Sequence, residues 1–120
     1  MSETTAMTWA PRWGAAKVSG ESMLPTLHPG DVLLVRHRPD TLRPGRLAVV
    51  ELADGTIAVK RAIETRRTAT GADGWWVLSD NPSVGVDSRH RGPVPRERVL
   101  AVVVARLWPR PGRLRTRRPE

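Results

Sequence analysis

A mostly β domain of short antiparallel strands is the fold class this sequence predicts, and three observations carry the prediction. Valine-rich runs recur along the chain, in D-V-L-L-V-R (Asp31 to Arg36), L-A-V-V-E-L (Leu47 to Leu52) and V-L-A-V-V-V-A-R-L (Val99 to Leu107). β-Branched residues favour strands because they pack well on a pleated surface and lose side-chain freedom in helices. Pro-Gly and Asp-Gly pairs punctuate the runs at Pro29-Gly30, Pro44-Gly45 and Asp54-Gly55, where the chain needs turns. Finally, the core must be aliphatic: 39% of the 120 residues are hydrophobic, and the aromatic set is 5 Trp with no Phe or Tyr. Such a chain supports one core, and a thin one.

Residues 1–14 read as a flexible lead-in, 15–109 as a single domain, and 110–120 as a basic, disordered tail. Ala15 to Val18 is a short strand leading into the segment around Ser22. Ser22 to Pro29 holds two prolines, which exclude a long helix and leave a turn or a single helical turn. Asp31 to Arg36 is a strand, His37 to Gly45 a loop, and Leu47 to Leu52 the next strand. Ala53-Asp54-Gly55 is a hairpin signal, and Thr56 to Glu64 returns as the partner, with room to continue towards Thr70. Along that strand Ala58, Lys60 and Ala62 share one face, and Ile57, Val59 and Arg61 the other. Gly71 to Gly74 is a turn, Trp75 to Leu78 a strand with one tryptophan in the core, and Ser79 to Pro95 a long irregular loop. Val99 to Leu107 is the closing core strand.

Composition removes several function classes. With no cysteine there are no disulfides, thiolate ligands or Cys nucleophiles. His28, His37 and His90 match no compact zinc spacing and read as surface or loop histidines, so no metal and no other cofactor is expected. Asp31 follows Pro29-Gly30 and reads as a turn residue. A net charge of +8 raises nucleic acid or an acidic membrane surface as a partner, but it is uneven, with 6 Arg between Arg106 and Arg118. No stretch approaches the roughly 18–20 apolar residues that cross a bilayer. The N-terminus also lacks the basic and apolar regions of a secretory signal. The expected setting is soluble and cytoplasmic.

Arginine outnumbers lysine 18 to 2, and the lysines are Lys17 and Lys60. Where positive charge alone matters, arginine serves; it cannot release its proton in a protein, whereas a buried lysine can. Lys60 lies between two alanines on its strand face, downstream of Ser22 in V-S-G-E-S-M-L-P-T-L-H-P-G-D (Val18 to Asp31). That pairing suggests a Ser-Lys dyad, in which a neutral amine takes the proton of the attacking hydroxyl. An ordinary lysine, with a pKa of about 10.4, holds its proton at neutral pH, and a small apolar setting favours its release. The backbone N–H of Ser22 is the natural first oxyanion donor. Gly20 and Pro25 would fix the turn that presents the hydroxyl, and Met23 and Leu24 would shield it from water.

Taken in order, G-E-S-M-L-P-T-L, G-D-V-L-L-V, V-K-R and S-D-N-P-S-V-G-V-D-S-R-H-R-G-P-V-P resemble the motif series of the type I signal peptidase family of serine proteases. The resemblance implies that family's mostly β catalytic core, shared with LexA-like self-cleaving domains. By position, Ser22 matches the nucleophile, Lys60 the general base and Arg61 the basic residue that follows it. Asp80 and Asn81 match the acidic-amide pair of the last motif. Asp87, Ser88 and Arg89 match its D-S-R, whose Asp and Arg are expected to pair and brace the site. Three positions depart from the pattern. Ser79 stands where the family usually has Gly, Gly85 where many members have a serine that orients the lysine, and Gly20 where some have a hydroxyl oxyanion donor. A small, Arg-rich chain with this pattern is similar to the maturation proteases of nickel-type superoxide dismutase. That likeness implies a protein precursor as partner, with removal of an N-terminal propeptide; nickel then belongs to the substrate. The alternatives are a signal-peptidase-like or self-cleaving protease with another substrate, or a basic β-barrel module that binds nucleic acid. The last explains the arginine content and leaves Ser22 and Lys60 without a role, so nucleic acid is not the expected partner.

Overall fold

Alternation in the valine-rich runs makes the central strands two-faced. In β4 (Leu47–Glu51), Leu47 and Val49 join a buried cluster with Leu33, Val35 and Val103, while Ala48 and Val50 join a second with Trp75, Val77 and Val102. Each such aliphatic side chain contributes about 1.5–3 kcal/mol when fully buried, so the strands that feed both clusters hold the molecule together. The structure, a computed structural model, describes residues 6–9, 12–114 and 116.

Among these residues one mostly antiparallel sheet contains nine strands: β1 (Ala6–Trp9), β2 (Trp13–Lys17), β3 (Val32–Arg36), β4, β5 (Ile57–Arg67), β6 (Asp73–Leu78), β7 (Val94–Pro95), β8 (Val99–Trp108) and β9 (Gly112–Arg113). Their order across the sheet is β1-β2-β3-β8-β4-β5-β6-β7, with β9 beside β8. The fold is the mostly β class that the sequence predicts.

Four details differ from the sequence reading, each for a physical reason. Val99–Trp108 does not close the sheet; it lies at its centre, paired with β3 on one side and β4 on the other. Its residues supply both clusters, which only a strand buried on both faces does. The lead-in assigned to residues 1–14 contains β1, which pairs with β2 from Ala6↔Lys17 to Trp9↔Gly14. The tail assigned to 110–120 contains β9, held by Ala105↔Arg113 and Arg106↔Gly112; residues 115 and 117–120 lie outside the described residues. Lastly, the loop from Ser79 to Pro95 contains a one-turn helix, α1 (Ser88–Arg91), and β7. The helix forms because Asp87 caps it: its carboxylate accepts the Arg89 N–H, and the His90 ring accepts the Asp87 N–H.

Candidate active site

Backbone hydrogen bonds close the segment from Val18 to Asp31 at its neck, Val18 N–H to Asp31 O at 2.8 Å and Gly30 N–H to Val18 O at 2.9 Å. Inside, Gly20 adopts a φ of +80°, a left-handed bend that glycine tolerates best. The Leu27 N–H then bonds Met23 O at 2.9 Å, making the single helical turn that the two prolines allow. Met23 and Leu27 are buried in the first core cluster and anchor the turn. Met23 also accepts the Asp80 N–H on its sulfur at 3.3 Å. Ser22 is 3% exposed.

Lys60 comes from β5, opposite Ala48 of β4, and is 0% exposed. Ala58 and Ala62 on either side are buried, as the strand register requires. The Lys60 Nζ lies 3.3 Å from Ser22 Oγ and 2.9 Å from Ser79 Oγ. Two residues 38 apart in sequence thus meet in a desolvated setting. There a polar contact is electrostatically stronger than in water, and a broken one costs more.

The remaining candidates build a frame around this pair. Arg61 grips Asp80 with two contacts, Nε at 3.2 Å and Nη2 at 2.6 Å, and its Nη1 donates to Gly45 O at 2.8 Å. The Arg61–Asp80 pair is buried, so loss of either partner would strand a charge, at about 3–5 kcal/mol. Asn81 stitches the nucleophile turn to the loop after β6: its N–H donates to Ser22 O at 2.8 Å, and its side-chain amide to Glu21 O at 3.1 Å. Asp87, 0% exposed, accepts the Ser79 N–H at 2.9 Å and the Arg89 Nη2 at 2.8 Å. Burial is the largest influence on its carboxyl and pushes it upward. The Arg89 side chain, the Ser79 and Arg89 N–H groups and the Arg89 charge together outweigh burial, holding the group below the usual carboxylate range. The buried Ser88 hydroxyl accepts the Val77 N–H at 2.9 Å, which fixes α1 against β6.

Three contributors were given no role in the site by the sequence reading. Thr26 donates its hydroxyl to Asp80 at 2.5 Å; it sits inside the P-T-L of the Ser22 segment, which is the only signal for it. The Arg106 side chain donates to Thr26 O at 2.9 Å and lies 3.2 Å from Asp31. Asp31 also accepts the His28 N–H at 2.9 Å, as its turn position predicts. Ser79, notable in the sequence only as a departure, lies against the amine. Of the tryptophans in β6, Trp75 joins the core, and Trp76 is half-buried under the Arg66 guanidinium at 4.0 Å. Among the described residues, no group of three or more His, Cys, Asp and Glu is placed to hold a metal ion. No helix there is long and apolar enough to cross a membrane.

An antiparallel β domain that brings a buried hydroxyl and a buried amine into hydrogen-bond reach has the layout of a serine peptidase. Comparison with known families agrees: the chain belongs to the Peptidase S24-like family, whose sequence profile matches residues 4–92. It is similar to mitochondrial inner membrane protease subunit 1 of Schizosaccharomyces pombe, 27% identical over 113 residues covering 78% of this chain and 72% of that protein. It is also similar to mitochondrial ATP-independent inner membrane protease subunit 1a of Arabidopsis thaliana, 31% identical over 115 residues covering 77% and 68%. The chain is therefore a signal-peptidase-like serine protease.

Proposed function

We propose that this chain is a Ser-Lys endopeptidase that removes an N-terminal propeptide from a cytoplasmic precursor, that of nickel superoxide dismutase. One observation carries the catalytic part: the buried Lys60 Nζ lies 3.3 Å from the buried Ser22 Oγ. In this reading Ser22 Oγ attacks the scissile carbonyl carbon, the carbonyl π pair moves onto oxygen, and Lys60 takes the hydroxyl proton. The Ser22 backbone N–H donates to the oxyanion, with the left-handed bend at Gly20 and the buried Met23 holding the turn that presents it. Collapse breaks the C–N bond, and Lys60 passes its proton to the leaving amine. Water then attacks the acyl-enzyme carbonyl, giving one proton to Lys60; the second tetrahedral adduct collapses, breaking the bond to Ser22 Oγ, and Lys60 returns the proton to that oxygen. Arg61, Asp80 and Asn81 hold the two catalytic segments together, and Asp87, Ser88 and Arg89 brace the loop behind the amine.

The substrate rests on the resemblance of the small Arg-rich chain, with its W-W-V-L-S-D-N-P and R-L-W-P segments, to the dismutase maturation proteases. Co-expression with a dismutase precursor tests both parts, with the mass of the precursor's N-terminus as readout. The wild type should release the propeptide. Ser22→Ala and Lys60→Met should each slow release by at least about 100-fold, the low end for loss of a general base. Lys60→Arg should fail equally, since it keeps the charge and cannot give up the proton. Full processing by any of the three rejects the dyad. An untouched dismutase precursor alongside Ser22-dependent cleavage of a peptide library rejects only the substrate. Recovery of the protein in the membrane fraction rejects the cytoplasmic setting.

A further inference from the structure

A neutral lysine amine carries two N–H bonds and one lone pair. Rotation about the bond to Nζ spreads that lone pair over a circle, only part of which faces Ser22. A base that works in a fixed geometry needs a second group to stop the rotation. Ser79 meets this requirement. Its Oγ lies 2.9 Å from Nζ, closer than the Ser22 oxygen at 3.3 Å.

Ser79 is itself held on both sides. Its N–H donates to the fully buried Asp87 carboxylate at 2.9 Å, and its neighbour Asp80 is gripped by Arg61, the neighbour of Lys60. The β5–β6 register, with Arg61 opposite Leu78, sets the two segments side by side. Two adjacent residues of one segment thus meet two of the other, amine on hydroxyl and guanidinium on carboxylate. The hydroxyl could not come equally well from position 85. Gly85 has a φ of +85°, where a side chain would strain the backbone.

Building on the Ser-Lys reading, we infer that Ser79 is the positioning residue of this protease: it accepts a hydrogen bond from the Lys60 amine and so aims the lone pair at the Ser22 hydroxyl. The Asp87–Arg89 pair then acts on the dyad through the Ser79 N–H. When Lys60 takes the Ser22 proton, the same hydroxyl accepts from the ammonium, so one contact serves both protonation states.

The test uses p-nitrophenyl acetate as acyl donor on the purified full chain, which makes it independent of the natural substrate. The p-nitrophenol burst gives the acylation rate constant and its dependence on ester concentration, and peptide mass mapping locates the acetyl group. The wild type should be acetylated on Ser22, and Ser22→Ala should show no burst. Ser79→Ala should lower the acylation rate constant by about 10- to 100-fold, with the half-saturating ester concentration and the thermal midpoint unchanged. Ser79→Thr, which keeps the hydroxyl, should restore the rate to within a few-fold. Ser79→Cys, close in size but a weak acceptor, should remain slow. Wild-type rates in Ser79→Ala, with Ser22→Ala inert, overturn the assignment of Ser79 and leave the dyad standing. Equal loss in Ser79→Ala and Ser79→Thr reduces Ser79 to a packing role. Absence of Ser22 labelling in the wild type, or labelling as fast in Lys60→Met, removes the dyad and this inference with it.

Discussion

Asp87 shows how a single buried group carries both stability and the form of the site. Burial favours its protonated form, yet the Arg89 side chain and two backbone N–H groups favour the carboxylate more, so its pKa is lower folded than unfolded. A depressed carboxyl stabilises the fold above its unfolded pKa and loses that contribution as pH falls through the folded value. Stability should therefore hold from neutral pH down to about 4, the ordinary value for Asp, and decline below it. Replacing the charge by Asp87→Asn should cost about 1–3 kcal/mol at neutral pH, since the N–H of buried Ser79 loses its charged acceptor. It should also flatten the acid limb. Urea titrations at several pH values read both effects, and an unchanged acid limb in the variant would assign that limb to other carboxylates.

Among the elements, the two-residue edge strand β7 depends on a close backbone approach. It meets β6 at Gly74↔Pro95 and Trp75↔Val94. A β-carbon on Gly74 would stand 2.6 Å from the Val94 carbonyl oxygen and 2.8 Å from a Thr68 methyl. A backbone oxygen cannot move away without separating the strands, so Gly74→Ala should destabilise by about 1–3 kcal/mol. A thermal midpoint equal to wild type would show that the strands part at no cost. No local pattern warns of this, because Gly71 to Gly74 reads as a turn and close backbone approach leaves no mark on neighbouring residues. The strands β3, β4, β5 and β8 were legible because valine runs and Pro-Gly or Asp-Gly breaks are local signals. Ser22 and Lys60 stood out through a motif and through the scarcity of lysine. Hidden were facts that depend on distant partners: the central place of β8, the Thr26–Asp80 contact, Arg106 at Thr26, and the contact of Ser79 with the amine. The cap on α1 was within reach, since Asp87 precedes Ser88-Arg89-His90, but a four-residue helix has too little periodicity to declare itself.

At the scale of the whole molecule, the order of strands differs from the order of the chain. β8 enters between β3 and β4, which precede it by a long stretch of sequence. Closing such loops has an entropic cost before any contact rewards it, so refolding should fall in the range of about milliseconds to seconds typical of β topologies. Stopped-flow tryptophan fluorescence, with Trp75 in the core as reporter, checks this, and microsecond refolding would contradict it. The same arrangement has a consequence for a newly made chain. Ser22 and Lys60 are both translated well before Val99–Trp108, the strand that joins β3 to β4 by backbone hydrogen bonds. The complete hydrogen-bonded sheet around the site is therefore expected only once Val99–Trp108 has been synthesised.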